Sequence, residues 1–487
     1  MAARLKAAAA LAPLLLLGVA VQLLLSGCRE DAAAPGFSGQ EKLGYIAVSG
    51  PVSRVMITTV AGGAGETYLE WPGSGERFSF SNDGRLFTVV LMSRAGEGPE
   101  GRVHSLIATT DGSAAWTIPG NAIRPVFSPD AHAVAFYTMG KPGTQTSTIG
   151  VYDIASGKTT TLAHGGTLEN PVWIDNTNLV YSNRDDGVIY RLDTRTGASM
   201  PLTPPGRRFY YYTFPVTMEQ QKIAIVEDGP LSNIWSLDVS SGRLTQVTNN
   251  NRYQARAGYL PGTNTILFDE QSSEKAIDSS DLAFINDDGS GFSFLTADFF
   301  FDGLETVSPS SGLIAWQHVE NQVNSIKVAG RDAKTPKTIV SGTDWYGDPN
   351  FAPVAGWQAA NPLQMNVESG APGTDGNPVT VHISNPGSEI VEATLRAFPG
   401  LDLALKPAAG SEPDRQDSSG QAAFPISTPG PPATNLVWRI SLGSGQSRDL
   451  ELGAQVRPAV QAASDATMLL TLAVPGTPPR MYWEDFG

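Results

Sequence analysis

The chain has 487 residues and a formal net charge of −15. This length exceeds what one compact core usually holds, so we expect at least two domains. An acidic surface of this kind repels nucleic acid and anionic lipid headgroups, which excludes a nucleic-acid-binding role. The 51 Gly and 35 Pro residues separate short β-like runs, which indicates an all-β protein.

The amino-terminal segment has the layout of a secretory signal, with basic residues before an apolar run. The sequence LSGC at residues 25–28 resembles the lipobox of bacterial lipoproteins, in which the cysteine is lipid-modified. The resemblance implies that residues 1–27 are a signal peptide, that Cys28 carries lipid, and that residues 28–42 form a tether. The rest of the protein would then lie on the extracytoplasmic side of a cell membrane or outer membrane, held by its lipid. An uncleaved membrane-spanning anchor is the alternative.

An internal repeat occupies residues 43–357. An apolar or aromatic residue followed by a Pro- or Asp-containing turn recurs at spacings of 41 to 48 residues. The seven copies begin at Phe80, Phe127, Trp173, Phe214, Tyr259, Val307 and Phe351. Most units add three further strand-like runs before the next copy. Four short antiparallel strands per repeat are typical of a β-propeller blade.

The repeats resemble those of TolB-like (WD40-like) propellers, whose blades carry Ser-Pro-Asp-Gly between their first two strands. The match is good at residues 128–130 and weaker at 173–176. Six complete units run from Phe80 to about Asn350. Three strand-like runs before them and one after them make a seventh blade, which closes the ring and removes exposed sheet edges. A ring of six or eight blades is the alternative.

The repeat spacing is lost beyond residue 357. Short strands over residues 358–475 predict a β-sandwich. An Asn-Pro-Gly turn at 385–387 and the Trp-containing run at 436–440 resemble bacterial Ig-like modules. Residues 476–487 are predicted to form a tail.

The predicted ligand face of the propeller is formed by the loops between blades and the loops between the second and third strands. These loops are aromatic and carry charged residues, a combination that holds sugars, peptides or protein loops. Ten residues on this face are candidates for ligand binding: Arg208, Tyr210, Tyr212, Arg252, Tyr253, Phe300, Trp345, Tyr346, Asp269 and His318. Packing between blades is the competing explanation for half of the aromatic residues.

The sequence offers no clear catalytic motif. It has no Gly-x-Ser-x-Gly elbow, and its five histidines lack the spacing of metal ligands, so we predict no catalytic residues, metal or cofactor. We predict a membrane-anchored extracytoplasmic lipoprotein that acts as a binding or scaffolding module for a protein, peptide or glycan. The alternative is a glycan-active hydrolase or lyase that uses carboxylates such as Asp185-Asp186 or Asp269-Glu270. A third interpretation, an accessory subunit of an envelope complex, follows from the TolB-like resemblance.

Overall fold

A computed structural model gives the architecture of most of the chain. It describes residues 41–486 except 63–64, 93–102, 139–145, 212–220, 230–231, 251, 272–278, 299, 333–334, 354–356, 358–359, 372–375, 401–402, 418–433 and 457–465. The regular secondary structure of these residues consists of β-strands alone. Within the described ranges, no helix is long and apolar enough to cross a membrane. Cys28 and the predicted signal peptide and tether lie outside the described residues, apart from the last two tether positions.

Three strands open the described chain: β1 (Lys42–Ser49), β2 (Val52–Thr59) and β3 (Glu66–Pro72). Six units of four consecutive antiparallel strands follow. Their bounds are β4 (Ser74–Phe80), β5 (Leu86–Met92), β6 (Val103–Thr109), β7 (Ala115–Ile118); β8 (Ala122–Phe127), β9 (Ala133–Thr138), β10 (Thr148–Asp153), β11 (Lys158–His164); β12 (Leu168–Trp173), β13 (Asn178–Asn183), β14 (Val188–Asp193), β15 (Ser199–Pro201); β16 (Phe209–Tyr210), β17 (Lys222–Glu227), β18 (Ile234–Asp238), β19 (Leu244–Gln246); β20 (Tyr253–Tyr259), β21 (Thr265–Gln271), β22 (Ser280–Asn286), β23 (Ser293–Phe294); and β24 (Phe301–Val307), β25 (Ile314–Glu320), β26 (Val323–Ala329), β27 (Lys337–Gly342).

The next strand, β28 (Trp345–Ala352), returns to the start of the chain and pairs antiparallel with β1. Leu43 lies opposite Phe351 and Val48 lies opposite Trp345. This pairing, which the sequence predicts, completes a four-stranded sheet in the order β28-β1-β2-β3. Each unit contacts the next along the chain, and the last unit contacts β28. An all-β chain of such four-stranded sheets fits a β-propeller.

Burial within each unit follows the position of the strand. Second strands such as Leu86–Met92 and Thr265–Gln271 are buried along most of their length, because neighbouring sheets cover both of their faces. Fourth strands such as Ser199–Pro201 and Ser293–Phe294 are exposed. The apolar core therefore lies between the sheets, and the fourth strands form the outer rim.

Nine strands follow the repeat: β29 (Gln364–Ser369), β30 (Asn377–Ser384), β31 (Val391–Pro399), β32 (Leu403–Pro407), β33 (Arg415–Asp417), β34 (Asn435–Leu442), β35 (Ser447–Val456), β36 (Thr467–Ala473) and β37 (Arg480–Asp485). One sheet has the order β29-β30-β35-β32, and the other strands continue the sheet of β3 in the order β37-β36-β31-β34-β33. Val381 and Leu452 from the first sheet share one apolar core with Trp438 and Leu470 from the second.

The carboxyl-terminal residues differ from the prediction. Residues 480–485 were expected within a tail but form β37, which pairs with β36 and, in parallel, with β3 through Leu69 and Met481. The side chains of Met481 and Trp483 are 2% and 1% exposed and pack in the core that contains Trp71. Alternate apolar residues on a six-residue segment thus bury a strand against the propeller flank.

Candidate functional site

The first strands of most repeat units line a half-open cavity of about 710 Å³. Residues from β4, β8, β12, β20, β24 and β28 line it, together with the turns that follow these strands. The volume lies in the range of small-molecule and peptide-side-chain pockets. None of the ten predicted ligand residues lines this cavity. It extends towards the ends of the first strands, whereas the predicted loop face lies where these strands begin.

A repeated β-bulge shapes the wall of the cavity. In six of the described first strands the pairing register shifts, and one non-glycine residue at the shift has a left-handed φ between 46° and 56°. These residues are Arg77, Arg124, Asn170, Arg256, Leu304 and Asp348. Such a backbone conformation is uncommon for residues other than Gly, and a bulge bends the strand. All except Asn170 line the cavity.

The bulges give the cavity a cationic wall. Arg77, Arg124 and Arg256 line it, against the acidic residues Glu305 and Asp348. The backbone N–H of Arg77 donates to Asp348 Oδ2 at 3.3 Å, which joins the β4 unit to β28. Arg124 Nη1 donates to Asn170 Oδ1 and joins two further units. Three arginines from different units therefore line one cavity in a protein whose net charge is negative.

The two buried carboxyl groups of Asp269 and Glu305 lie next to Arg256. Its Nη1 atom is 2.9 Å from Asp269 Oδ2, and the Asp269 side chain is fully buried. Burial raises the pKa of Asp269 to about 6, although the charge of Arg256 opposes the rise. Burial, with the adjacent Asp269 carboxylate, raises the pKa of Glu305 well above its usual value. Burial and the neighbouring carboxylate therefore favour the neutral form of Glu305 in this pair of carboxyl groups.

The close approach of Arg256 to Asp269 requires a glycine on the adjacent strand. A Cβ atom at position 303 would lie 2.3 Å from Arg256 Nη1. Because real Cβ atoms do not approach other heavy atoms this closely, any side chain there would displace the guanidinium. Gly303 therefore leaves the space in which the ion pair forms.

Asp302 organises a second group of residues, next to the first. Its Oδ1 atom accepts hydrogen bonds from Trp316 Nε1 at 2.7 Å and from His318 Nδ1 at 2.8 Å. Burial by itself lowers the pKa of His318, but the hydrogen bond and charge of Asp302 outweigh it, so this pKa is raised. The ring of Phe300 meets His318 edge-on at 5.9 Å. The negative charge of Asp302 also contributes to the raised pKa of Asp269. Three predicted residues, Asp269, Phe300 and His318, are thus brought together around one carboxylate that the sequence analysis missed.

A second group of predicted residues lies between the β16 and β20 units. The hydroxyl groups of Tyr210 and Tyr253 are 3.4 Å apart. Arg252 pairs with Glu270 at 3.2 Å. Arg208 binds Asp228 Oδ2 at 3.2 Å and donates to backbone carbonyls of the preceding unit. The tyrosine contact and the hydrogen bonds from Arg208 to the carbonyls join neighbouring units at the loop face, whereas the two ion pairs lie within single units.

The remaining aromatic candidates pack mainly within the protein. Trp345 packs against the core that contains Trp71, whereas Tyr346 packs in a different core and meets Tyr45 edge-on at 5.9 Å. Successive residues of a strand point to opposite faces, so these two side chains diverge. Tyr212 lies outside the described residues.

The acidic pairs that were considered for catalysis also diverge. Asp269 turns towards Arg256, whereas its neighbour Glu270 turns towards Arg252 and Gln254. The two face opposite sides of β21 and do not act on one ligand atom. The carboxyl pair that the fold does assemble is Asp269 with Glu305, from adjacent units.

The sequence carries a signal for the cavity residues that was not used. Each bulge residue lies three positions before the first residue of a repeat motif: Arg77 before Phe80, Arg124 before Phe127, and Arg256 before Tyr259. Arg therefore recurs at one repeat position. In a β-propeller the first strands of the blades surround the central cavity. The sequence could therefore have predicted that these arginines line the cavity.

Comparisons with known proteins find similarity among solved structures only. No protein family and no curated protein matches the sequence. TolB from Acinetobacter baumannii is 15% identical, with 68% of this chain and 70% of that chain covered and a TM-score of 0.41. An acylaminoacyl peptidase from Pyrococcus horikoshii is 9% identical, with 72% and 57% covered and a TM-score of 0.46. Prolyl oligopeptidase B from Galerina marginata is 8% identical, with 69% and 52% covered and a TM-score of 0.45. The chain thus spans little more than half the length of these two peptidases, and the matches carry no inference about ligand or activity.

Proposed function

We propose that the protein is a lipid-anchored extracytoplasmic binding module. In this proposal the repeat units are the blades of a seven-bladed propeller, the strands after β28 form an Ig-like sandwich, and Cys28 holds the chain at a cell membrane or outer membrane. The LSGC sequence supports the anchor. The pairing of β28 with β1 and the serial contacts between units support the blade count.

The cavity carries the functional part of the proposal. Arg77, Arg124 and Arg256 line it together with Asp348, and burial raises the pKa of Glu305, so the wall presents more positive than negative charge and several hydrogen-bond donors. Guanidinium groups form strong charge-assisted hydrogen bonds with carboxylates. The ligand is therefore a peptide, protein segment or glycan that inserts a carboxylate into the cavity.

The predicted loop face is a second contact surface in this proposal. Tyr210 and Tyr253 present adjacent phenol groups there, and Arg252 and Glu270 add a charged pair. This arrangement of aromatic and charged groups suits the flanks of a larger ligand.

The test is a binding screen with the full-length chain in mild detergent. Acidic peptides and acidic glycans are compared with amidated or neutral versions of the same ligands. Arg124→Met removes a cavity cation, and Arg195→Met, on an exposed hairpin, is the matched control. We expect Arg124→Met to weaken binding of acidic ligands by about tenfold or more, since a hydrogen bond to a charged group contributes about 1.5–3 kcal/mol. Equal affinity for neutral ligands, or equal binding by Arg124→Met, would contradict the cavity assignment.

The alternative function, a hydrolase or lyase, is tested in the same screen. The buried pair of Asp269 and Glu305 is the feature that favours it, because carboxyl groups with raised pKa values suit acid–base chemistry. Turnover of a bound glycan that Glu305→Gln abolishes would support this alternative. Stable binding without turnover supports the binding module.

A further inference from the structure

A group of potential metal ligands lies at the loop face, outside the cavity. Asp302 on β24 and His318 on β25 are direct partners in the strand register. Asp298 lies in the loop before β24. One candidate ligand atom from each of these three residues lies within 4.8 Å of the others. Asp302 and His318 are 0% and 3% exposed, and Asp298 is exposed, so the group has two buried members and one at the surface.

Two buried polar atoms of this group have no hydrogen-bond partner among the described residues. They are Asp302 Oδ2 and His318 Nε2. Leaving buried acceptors unsatisfied is costly, and such atoms in a native protein call for an explanation, for example an ion. The other atoms of both side chains are satisfied, because Asp302 Oδ1 accepts from Trp316 and His318. The two side chains are therefore held in fixed orientations. Each keeps one polar atom, Asp302 Oδ2 or His318 Nε2, that makes no hydrogen bond with the described residues.

The surroundings of the group carry excess negative charge. Asp298 and Asp302 lie in one close group with the His318 imidazole, and Glu320 Oε2 lies 3.6 Å from His318 Nε2. Lys327 is the cation that opposes them. Three carboxylates around one imidazole favour a bound cation over an empty site. Trp316 Nε1 donates a hydrogen bond to the Asp302 carboxylate and so fixes its orientation. Outer partners of metal ligands commonly act in this way.

A second histidine provides a natural comparison. His382 Nδ1 is also 2.8 Å from a carboxylate, that of Asp449, and His382 Nε2 is 3.9 Å from Glu368. That site is exposed, and among the described residues His382, Asp449 and Glu368 do not form a cluster of potential metal ligands as close as that of Asp298, Asp302 and His318. An ordinary surface ion pair therefore accounts for His382, whereas no hydrogen bond from the described residues accounts for the buried Asp302 Oδ2 atom.

We propose that Asp298, Asp302 and His318 bind one divalent transition-metal cation, of the Zn²⁺ or Mn²⁺ class, at the loop face. One imidazole and two carboxylates suit these borderline ions. Three protein ligands leave a coordination position for water or for a ligand on the adjoining aromatic surface, where Phe300 contacts His318. This site goes beyond the proposed carboxylate-binding cavity and does not depend on it.

The test measures metal binding directly. The full-length chain in mild detergent is stripped with a chelator and dialysed against Zn²⁺, Mn²⁺ or Ca²⁺, and bound metal is counted by mass spectrometry. We expect one Zn²⁺ or Mn²⁺ per chain and little Ca²⁺. His318→Gln and Asp298→Asn should each weaken binding by at least about tenfold, because even outer-shell changes cost this much. Asp298→Asn alters an exposed residue, so the result does not depend on the folding of a core variant.

His382→Gln is the matched control and should retain the metal. No saturable binding to the parent chain would overturn the proposal. So would equal loss in the His382→Gln control, or binding that persists in both His318→Gln and Asp298→Asn.

Discussion

Glu305→Gln should remove a specific pH dependence of folding. Glu305 is 9% exposed, and burial next to the Asp269 carboxylate raises its pKa well above the usual 4.5. Above that usual value the unfolded chain releases the proton of Glu305, while the folded protein retains it. The folded state then binds more protons than the unfolded state, so stability falls as pH rises. Gln cannot ionise, and its side chain has nearly the same size and shape as that of Glu.

The size of the effect follows from proton linkage. One retained proton lowers the free energy of unfolding by about 1.4 kcal/mol per pH unit, so up to about 2.7 kcal/mol is lost between pH 6 and pH 8. Asp269 has a pKa of about 6, so most of the stability that its proton contributes is already lost below pH 6. The pKa of His318 is also raised, so the stability that its protonation contributes is lost as pH rises. This loss is the same in the parent and in Glu305→Gln. The difference between the parent and the variant therefore reports the proton that the Glu305 and Asp269 pair retains.

The assay is urea unfolding of the full-length chain in mild detergent at pH 6 and pH 8, followed by tryptophan fluorescence. We expect Glu305→Gln to lose less stability than the parent over this interval and to be the more stable protein at pH 8. Glu389→Gln, at an exposed position of the carboxyl-terminal sheets, should behave as the parent. Equal pH slopes for the parent and Glu305→Gln would refute the assignment of a retained proton to this carboxyl group.

Three further predictions concern other parts of the chain. Trp483→Ala should destabilise the protein by roughly 3–5 kcal/mol, because it empties a buried site between β37 and the propeller flank. Thermal unfolding measures this loss. Met200→Ala, at an exposed apolar residue, is the control and should change the stability little. Cys28→Ala should abolish incorporation of radiolabelled fatty acid and leave an uncleaved precursor, whereas labelling that persists would argue against lipid attachment at this residue. Tyr253→Ala should weaken the binding of a large ligand but not that of a small acidic one, since it alters the loop face and not the cavity. Titration of the protein with both ligands measures the difference. An equal loss of affinity for the two ligands would mean that the face and the cavity are one site.

The repeat made much of the fold predictable from sequence. Copies spaced at 41 to 48 residues locate the units, and the incomplete copies at the two ends predict the pairing of β28 with β1. The strand at 480–485 was missed because it is short, follows a Pro-rich turn and belongs to no repeat. Its burial depends on a partner, β3, that lies more than 400 residues earlier in the chain. Local patterns do not report such a pairing.

The candidate site was less predictable, because its residues come from strands rather than loops. Aromatic residues in loops directed attention to the loop face, yet Trp345 and Tyr346 serve largely as packing residues. Asp269 and His318 were both assigned to the loop face from sequence, and the structure adds Asp302, which binds His318 and whose charge also acts on Asp269. Asp302 itself resembles an ordinary turn residue in sequence, and its full burial is a tertiary property.

The bulge residues show how the fold and the binding chemistry are separated. The left-handed backbone recurs at the same repeat position whether the residue is Arg, Asn, Leu or Asp. An uncommon conformation of non-glycine residues persists only where the surrounding structure holds it in place, and here neighbouring sheets supply that constraint. The side chain at this position is therefore free to vary without altering the backbone. In a protein with 33 basic and 48 acidic side chains, placing Arg at three of these six positions concentrates positive charge in the cavity. At physiological ionic strength, charges beyond about 8 Å are largely screened, so an anionic ligand in the cavity interacts with these arginines far more than with the acidic exterior.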